Sequence, residues 1–240
     1  MSPDGRAALG FETLGDLRTA ELDHRPSRDG YGVNMPPTDT TTFVPSELEG
    51  VDRYKLLTGL IVPRPIGWIG TLAPDGRQNL APFSFFAVVA GTPPTVLFSP
   101  GRRTGTPKDT LSNVLASREF TVSVVDERLA EAMNLTSGEY PPDIDEFELA
   151  NLTPRPGDVV AAPLVSEAPA GLECRVTHVV ELTDPPTNTV VFGEVVRIHV
   201  RSDLLDGTRI DPVGLKAVGR MSGSSYTRMA DGYFEMDRPG

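Results

Sequence analysis

The spacing of hydrophobic positions changes several times along this chain, and each change marks an element. Residues 1–45 carry no sustained apolar period. They scatter Gly, Pro, Asp and Thr, as in GVNMPPTDTTTFVP, around one short helix expected near residues 11–22. This segment reads as an arm, either mobile or wrapped over another surface. The character changes after Pro45. The run SELEGVDRYKLLTGL predicts a helix that Ser46 caps, with Glu49 three residues on and Tyr54, Leu57 and Leu60 on one face. IGWIGTL (66–72) is a β-like run. Ala73-Pro74-Asp75-Gly76 then reads as a hairpin turn, because Pro presets φ and Gly accepts positive φ. The return strand runs from Gln78 towards Phe86, and a third strand covers 95–99.

Thr106-Pro107-Lys108-Asp109 predicts a second helix start. Thr106 is the cap, Pro107 the first helical residue and Asp109 the reciprocal partner, with Leu111, Val114 and Leu115 as the buried stripe. A strand (120–125) and a helix (127–135, with Leu129, Ala132 and Met133 inward) follow, then a loop-rich excursion over 137–163. Two long β-runs, 172–182 and 189–200, flank the turn Asp184-Pro185-Pro186-Thr187-Asn188. The Gly- and Ser-rich VGRMSGSSYTRM reads as loop. Strands outnumber helices and do not alternate with them, so the fold class is α+β, mainly β, built around a barrel with a few peripheral helices, and not a doubly wound sheet.

Composition narrows the classes. Gly and Pro number 23 each, which suits many turns. The net charge of −11 disfavours nucleic acid and anionic lipid as partners. The single cysteine, Cys174, excludes an intramolecular disulfide and a Cys-based metal cluster, and reads as a buried small side chain. No apolar run is long enough for a membrane helix and the first residues lack a secretory pattern, so the cytoplasm is the expected compartment and the sequons at Asn134 and Asn151 carry no weight.

Charge is also unevenly spread. Between Gly59 and Lys108 stand five basic residues (Arg64, Arg77, Arg102, Arg103, Lys108) and one acidic residue, Asp75. Within that island, GRRTGTPKDT leads into the predicted helix start. Free N–H groups, the positive helix end, Thr hydroxyls and guanidinium forks there suit a phosphate dianion. It lacks the ending of a Walker sequence, and no GxGxxG follows the first strand, so nucleotide-triphosphatase and Rossmann readings are set aside. NLAPFSFF (79–86) places Pro82 inside a strand, which therefore bends or borders a site. On these residues alone, an ordinary aromatic core is the favoured reading of its aromatics, and the walls of a planar ligand the second. His24, His178 and His199 lie in no motif, and neither a catalytic side chain nor a metal ligand is nominated.

RPIGWIGTLAPDGRQNLAPFSFF, then PPTVLFS, KDTLSNV, GEVVRIHV and GRMSGSSY, resembles the flavin reductase-like family, in its flavoredoxin-like branch, over residues 46–230. The resemblance implies an FMN-binding split β-barrel, followed by a tail at 231–240. It implies a homodimer holding FMN near the subunit interface, with NAD(P)H as electron donor and a monooxygenase or electron-transfer protein as partner. Asn79, Ala81, Pro82, Phe83, Ser84 and Phe85 would then line the ring and ribityl chain, and Ser99, Arg102, Lys108, Asp109 and Thr110 the ribityl chain and phosphate. Arg220 and Tyr226 are candidates for the open flavin face and the nicotinamide donor. The activity expected is flavin reduction, against two alternatives: an FMN-retaining electron carrier, or a ligand-binding barrel without flavin.

Overall fold

The computed structural model describes residues 40–103 and 106–237, without the side chains of 102–107. The helix expected near residues 11–22 lies outside the described residues. One compact unit runs from Pro45 to Gly240. Its frame is a seven-stranded antiparallel sheet: β1 (Gly67–Leu72), β2 (Gln78–Phe83), β3 (Phe86–Gly91), β4 (Pro94–Phe98), β5 (Glu119–Val124), β6 (Ala170–Glu181) and β7 (Thr189–Val200). The spatial order is β2-β1-β5-β6-β7-β4-β3. The two outer strands, β2 and β3, are consecutive in the chain and separated only by Ser84 and Phe85. A sheet whose opposite edges are joined by two residues must roll up, yet those edges do not pair with each other. The result is a split barrel, opened at Ser84–Phe85.

The roll explains why IGWIGTL lacks alternation. Ile69 points into the barrel, with Phe83, Val96, Phe98, Leu111, Val114, Phe120, Val122, Cys174 and Val191. Phe98 is the hub, its ring centroid 5.2 Å from Phe83 and 5.1 Å from Phe120. Trp68 and Leu80 face the other way, into a second core with Leu129, Met133, Phe147, Leu152, Val165 and Val218. Trp68 Nε1 there donates to Thr136 Oγ1 at 2.9 Å. Both faces of β1 are covered, so every residue from Gly67 to Thr71 is buried and only Leu72 is partly exposed. Burial also pushes the Cys174 thiol well above its ordinary range, which fits a packing role.

Several sequence-based expectations change, among them Leu115, which is 44% exposed and not part of the buried stripe. Helix α1 spans Gly50–Leu60 and begins after Glu49, with Pro45–Glu47 forming a separate 3₁₀ turn, so Ser46 is not its cap. Its Tyr54, Leu57 and Leu60 are largely exposed and do not face the core. Helix α2 spans Asp109–Ser117 and begins later than expected, because Thr106–Pro107 is held extended by pairing with Arg102–Arg103. FAVVAG forms strand β3, pairing with β4, where no strand was expected. VGRMSGSSYTRM is a hairpin, Val218–Arg220 against Tyr226–Arg228, and its first strand pairs with Arg64–Pro65. Pro82 keeps its place opposite Trp68, on an edge strand where its missing N–H costs no ladder bond. Asp126 opens the short 3₁₀ turn that leads into α3 (Ala130–Leu135), accepting from the amides of Arg128 and Leu129.

Candidate functional site

The split exposes a hollow of about 560 Å³. Pro82 and Ser84 come from the parted edge, Tyr54, Lys55 and Thr58 from α1, Met133 and Ser137 from the end of α3, and Arg220 and Tyr226 from the C-terminal hairpin. Arg64 and Ile66, on the run entering β1, complete the floor. The position of Arg64 has a local cause. Helix α1 stops at Leu60, and its last carbonyls need donors that no following turn supplies. Arg64 is only 7% exposed. Its Nη1 donates to the carbonyls of Thr58 (2.6 Å) and Ile61 (3.0 Å). Nη2 donates to Met221 O at 3.0 Å and Nε to Ser84 Oγ at 3.3 Å. One buried guanidinium thus ties the helix end, the split edge and the C-terminal hairpin together.

The charge of this hollow is one-sided. Lys55, Arg64 and Arg220 line it, and among the described residues no carboxylate does. Lys55 meets Asp52 at 3.2 Å. Among the described residues no carboxylate pairs with Arg64 or Arg220. Arg220 stacks its guanidinium 4.5 Å from the centroid of the Tyr226 ring and donates to Gly223 O, while Tyr226 Oη donates to Asn134 Oδ1 at 3.0 Å. In a chain of net charge −11, two arginines without counter-ions around one cavity make an anion-attracting site. Ile66, Pro82 and Met133 add apolar wall for a flat heterocycle.

Pro82 and Ser137 also border a lesser hollow of about 40 Å³, lined by Asn79, Ala81, Lys108, Asp109, Thr110 and Glu146. Here the polar groups largely satisfy each other. Thr110 Oγ1 donates to Asn79 Oδ1 at 2.8 Å, Asn79 Nδ2 donates to Glu146 at 3.1 Å, and the Leu80 amide donates to the same carboxylate at 3.1 Å. Burial holds the Glu146 carboxyl above its ordinary range despite those two donors.

The structure therefore distributes the expected site residues. Pro82, Ser84, Arg220 and Tyr226 share the large hollow. Asn79, Ala81, Lys108, Asp109 and Thr110 border the lesser one. Phe83 turns into the barrel core, with Lys108 Nζ 5.8 Å from its ring centroid. Phe85 lies at the split, its ring 6.4 Å from that of Tyr54. Ser99 borders neither hollow, and its amide donates to Phe85 O at 2.8 Å, extending the β3–β4 pairing by one bond. The Arg102 side chain is outside the described residues. Sequence reasoning did not place Arg64, Thr58 or Met133 in the site. The one available signal was Arg64 as a member of the basic island.

A split barrel whose parted edge borders a cationic, partly apolar hollow is suited to an anionic ligand with a flat apolar part. Comparison with known proteins identifies which. The flavin reductase like domain model matches residues 59–214, and the chain belongs to the flavin reductase-like family. An uncharacterized protein of Aquifex aeolicus is 42% identical over 188 residues, covering 78% of this chain and 94% of its own. Among solved structures, nitrilotriacetate monooxygenase component B from Bacillus cereus superimposes with a TM-score of 0.81 at 36% identity, over 83% of this chain and all of that one. The 2-nitrobenzoate 2-nitroreductase of Pseudomonas fluorescens gives 0.76 at 30% identity, over 83% and 96%. Family membership makes this chain a flavin-binding oxidoreductase. The residues present fit that cofactor: a hollow of suitable volume, apolar walls, a hydroxyl on the split edge and two arginines that no carboxylate among the described residues neutralises. No helix among the described residues is long and apolar enough to cross a membrane.

Proposed function

We propose that this chain is an FMN-binding NAD(P)H:flavin oxidoreductase that acts as a homodimer and supplies electrons or reduced flavin to a partner such as a monooxygenase. The observation that carries this reading is the cationic hollow at the barrel split, where Ser84 and Pro82 meet Arg64 and Arg220. Bound flavin supplies the hydride-accepting and electron-releasing chemistry. Ile66, Pro82 and Met133 would bracket the ring and exclude water from one side of it. Ser84 would donate its hydroxyl hydrogen to a polar atom of the ring edge. Lys108, Asp109 and Thr110, with Ser99 and Arg102, would receive the ribityl chain and phosphate, and Asn79, Ala81, Phe83 and Phe85 would back the ring. Arg220, held over Tyr226, would meet the phosphates of the nicotinamide donor. The Bacillus cereus relative is a monooxygenase component, which supports a monooxygenase as the electron acceptor.

The test begins with FMN titrated into the purified chain. Saturable binding is expected, followed by anaerobic loss of the oxidised-flavin absorption on adding NADH or NADPH. Absence of FMN binding would refute the proposal. Binding without reduction by either donor would instead favour an electron carrier filled by another protein. Arg220→Ala should raise KM for the nicotinamide donor about tenfold and leave kcat nearly unchanged, because a lost ground-state phosphate contact removes uniform binding.

A further inference from the structure

Arg64 is built differently from the other cations of the hollow. Its four observed hydrogen bonds go to three backbone carbonyls and one hydroxyl. A guanidinium has five N–H donors, so one hydrogen on Nη2 has no acceptor among the described residues. The positive charge is buried and no carboxylate offsets it among the described residues. A buried cation without a counter-ion is costly unless a ligand brings the opposite charge. The Ser84 hydroxyl transmits the same demand. Its oxygen accepts from Arg64 Nε, which leaves its own hydrogen to be donated elsewhere and makes it a stronger donor through cooperative polarisation. Ser84 lines the hollow, so that hydrogen is available to the ligand.

We infer that Arg64, directly and through the Ser84 hydroxyl, makes the hollow bind the reduced, anionic flavin ring more tightly than the oxidised, neutral ring. This rests on the flavin reading above. Two electrons and a proton delivered by a hydride donor convert the neutral ring to a monoanion. A fixed positive charge in a site of low effective dielectric stabilises that form selectively. Arg64 is a positioning residue for Ser84 and a source of field. The selectivity appears as a raised midpoint potential of bound FMN, because the ratio of the two affinities and the potential are one quantity.

The experiment measures the midpoint potential of FMN bound to the full chain, by anaerobic dye equilibration, in the parent and in Arg64→Met, Arg64→Lys and Ser84→Ala. Arg64→Met should cut the preference for reduced over oxidised flavin at least about tenfold, which is about 30 mV for a two-electron couple. Ser84→Ala should lower it by a smaller amount, and Arg64→Lys, which keeps the charge, should stay closer to the parent than Arg64→Met. Potentials unchanged in both Arg64→Met and Ser84→Ala would overturn the inference. So would an Arg64→Lys value as low as that of Arg64→Met, since Arg64 would then be a clasp between segments and no more. If Arg64→Met does not fold, Ser84→Ala decides alone, because Arg64 keeps its three carbonyl partners there. Loss of FMN binding by the parent would defeat the flavin reading as well, whereas binding with unshifted potentials defeats only this inference.

Discussion

Glu173 is fully buried on β6, and both of its oxygens are occupied. It accepts from the amides of Asp158 (2.9 Å), Val159 (2.8 Å) and Val160 (2.9 Å), and from His199 Nε2 at 2.7 Å. Asp158, Glu173 and His199 bring their ligand-type atoms within 4.8 Å of one another, but this donor set already fills the Glu173 carboxylate, so the cluster reads as a staple fixing the loop at 158–160 to the sheet. Burial alone would raise its carboxyl. The three amides and the imidazole outweigh burial and hold it at about 2, against an ordinary 4.5. A depressed carboxyl stabilises the fold above its unfolded value and loses that contribution as pH falls through the folded one. Glu173→Gln should therefore cost about 3 kcal/mol at neutral pH, since a Gln amide cannot accept from all four donors. The gap between parent and variant, measured by urea unfolding, should close as pH is lowered from 4.5 towards 2. A gap independent of pH over that window would show that the charge of Glu173 is not what holds the loop.

At the scale of elements, the glycine in the middle of β1 is set by what crosses the sheet. A Cβ on Gly70 would run into the carbonyl of Pro163, and would lie 2.5 Å from Thr121 Oγ1, which itself donates to that carbonyl. Gly70→Ala should destabilise the protein by about 2 kcal/mol through this overpacking. Denaturant titration reads the loss, and a variant as stable as the parent would mean that the loop at 163 yields freely. The same contrast between local and distant partners decides what was legible in the sequence. The turn at Ala73–Gly76 was readable because its determinants, Pro74 and Gly76, act within four residues, and Gly76 does adopt positive φ. The start of α2 was not, because Thr106-Pro107 has good helix-entry chemistry that pairing with Arg102–Arg103 overrides. The role of Arg64 was illegible for a stronger reason. Its acceptors lie at Thr58 and Ile61 on one side and at Met221 on the other, 157 positions away. Pro82 was legible as a border residue, since proline chemistry allowed only an edge or a bend.

For the whole molecule, the apolar surface left uncovered bears on the proposed homodimer. On α1, Tyr54, Leu57 and Leu60 are 58%, 59% and 78% exposed, and on β3 Val88 is 78% exposed. Phe85, 40% exposed at the split, lies against Tyr54. Exposed apolar side chains clustered in this way on α1 form an association surface in waiting. It also adjoins the hollow, since Tyr54 lines it and Thr58 O, on the same helix, anchors Arg64. A second copy seated on α1 would therefore wall the cofactor site and brace the helix that supports it, coupling association to flavin affinity. Replacing Leu57 and Leu60 together by Glu places two charges on that face without touching the residues that line the hollow. The double variant should sediment as a monomer at concentrations where the parent is a dimer, and should bind FMN at least about tenfold more weakly, from loss of the interface contribution. A parent that is monomeric at tens of micromolar would remove the homodimer from the proposal. A monomeric variant with parental FMN affinity would keep the dimer and show that each barrel holds its flavin alone.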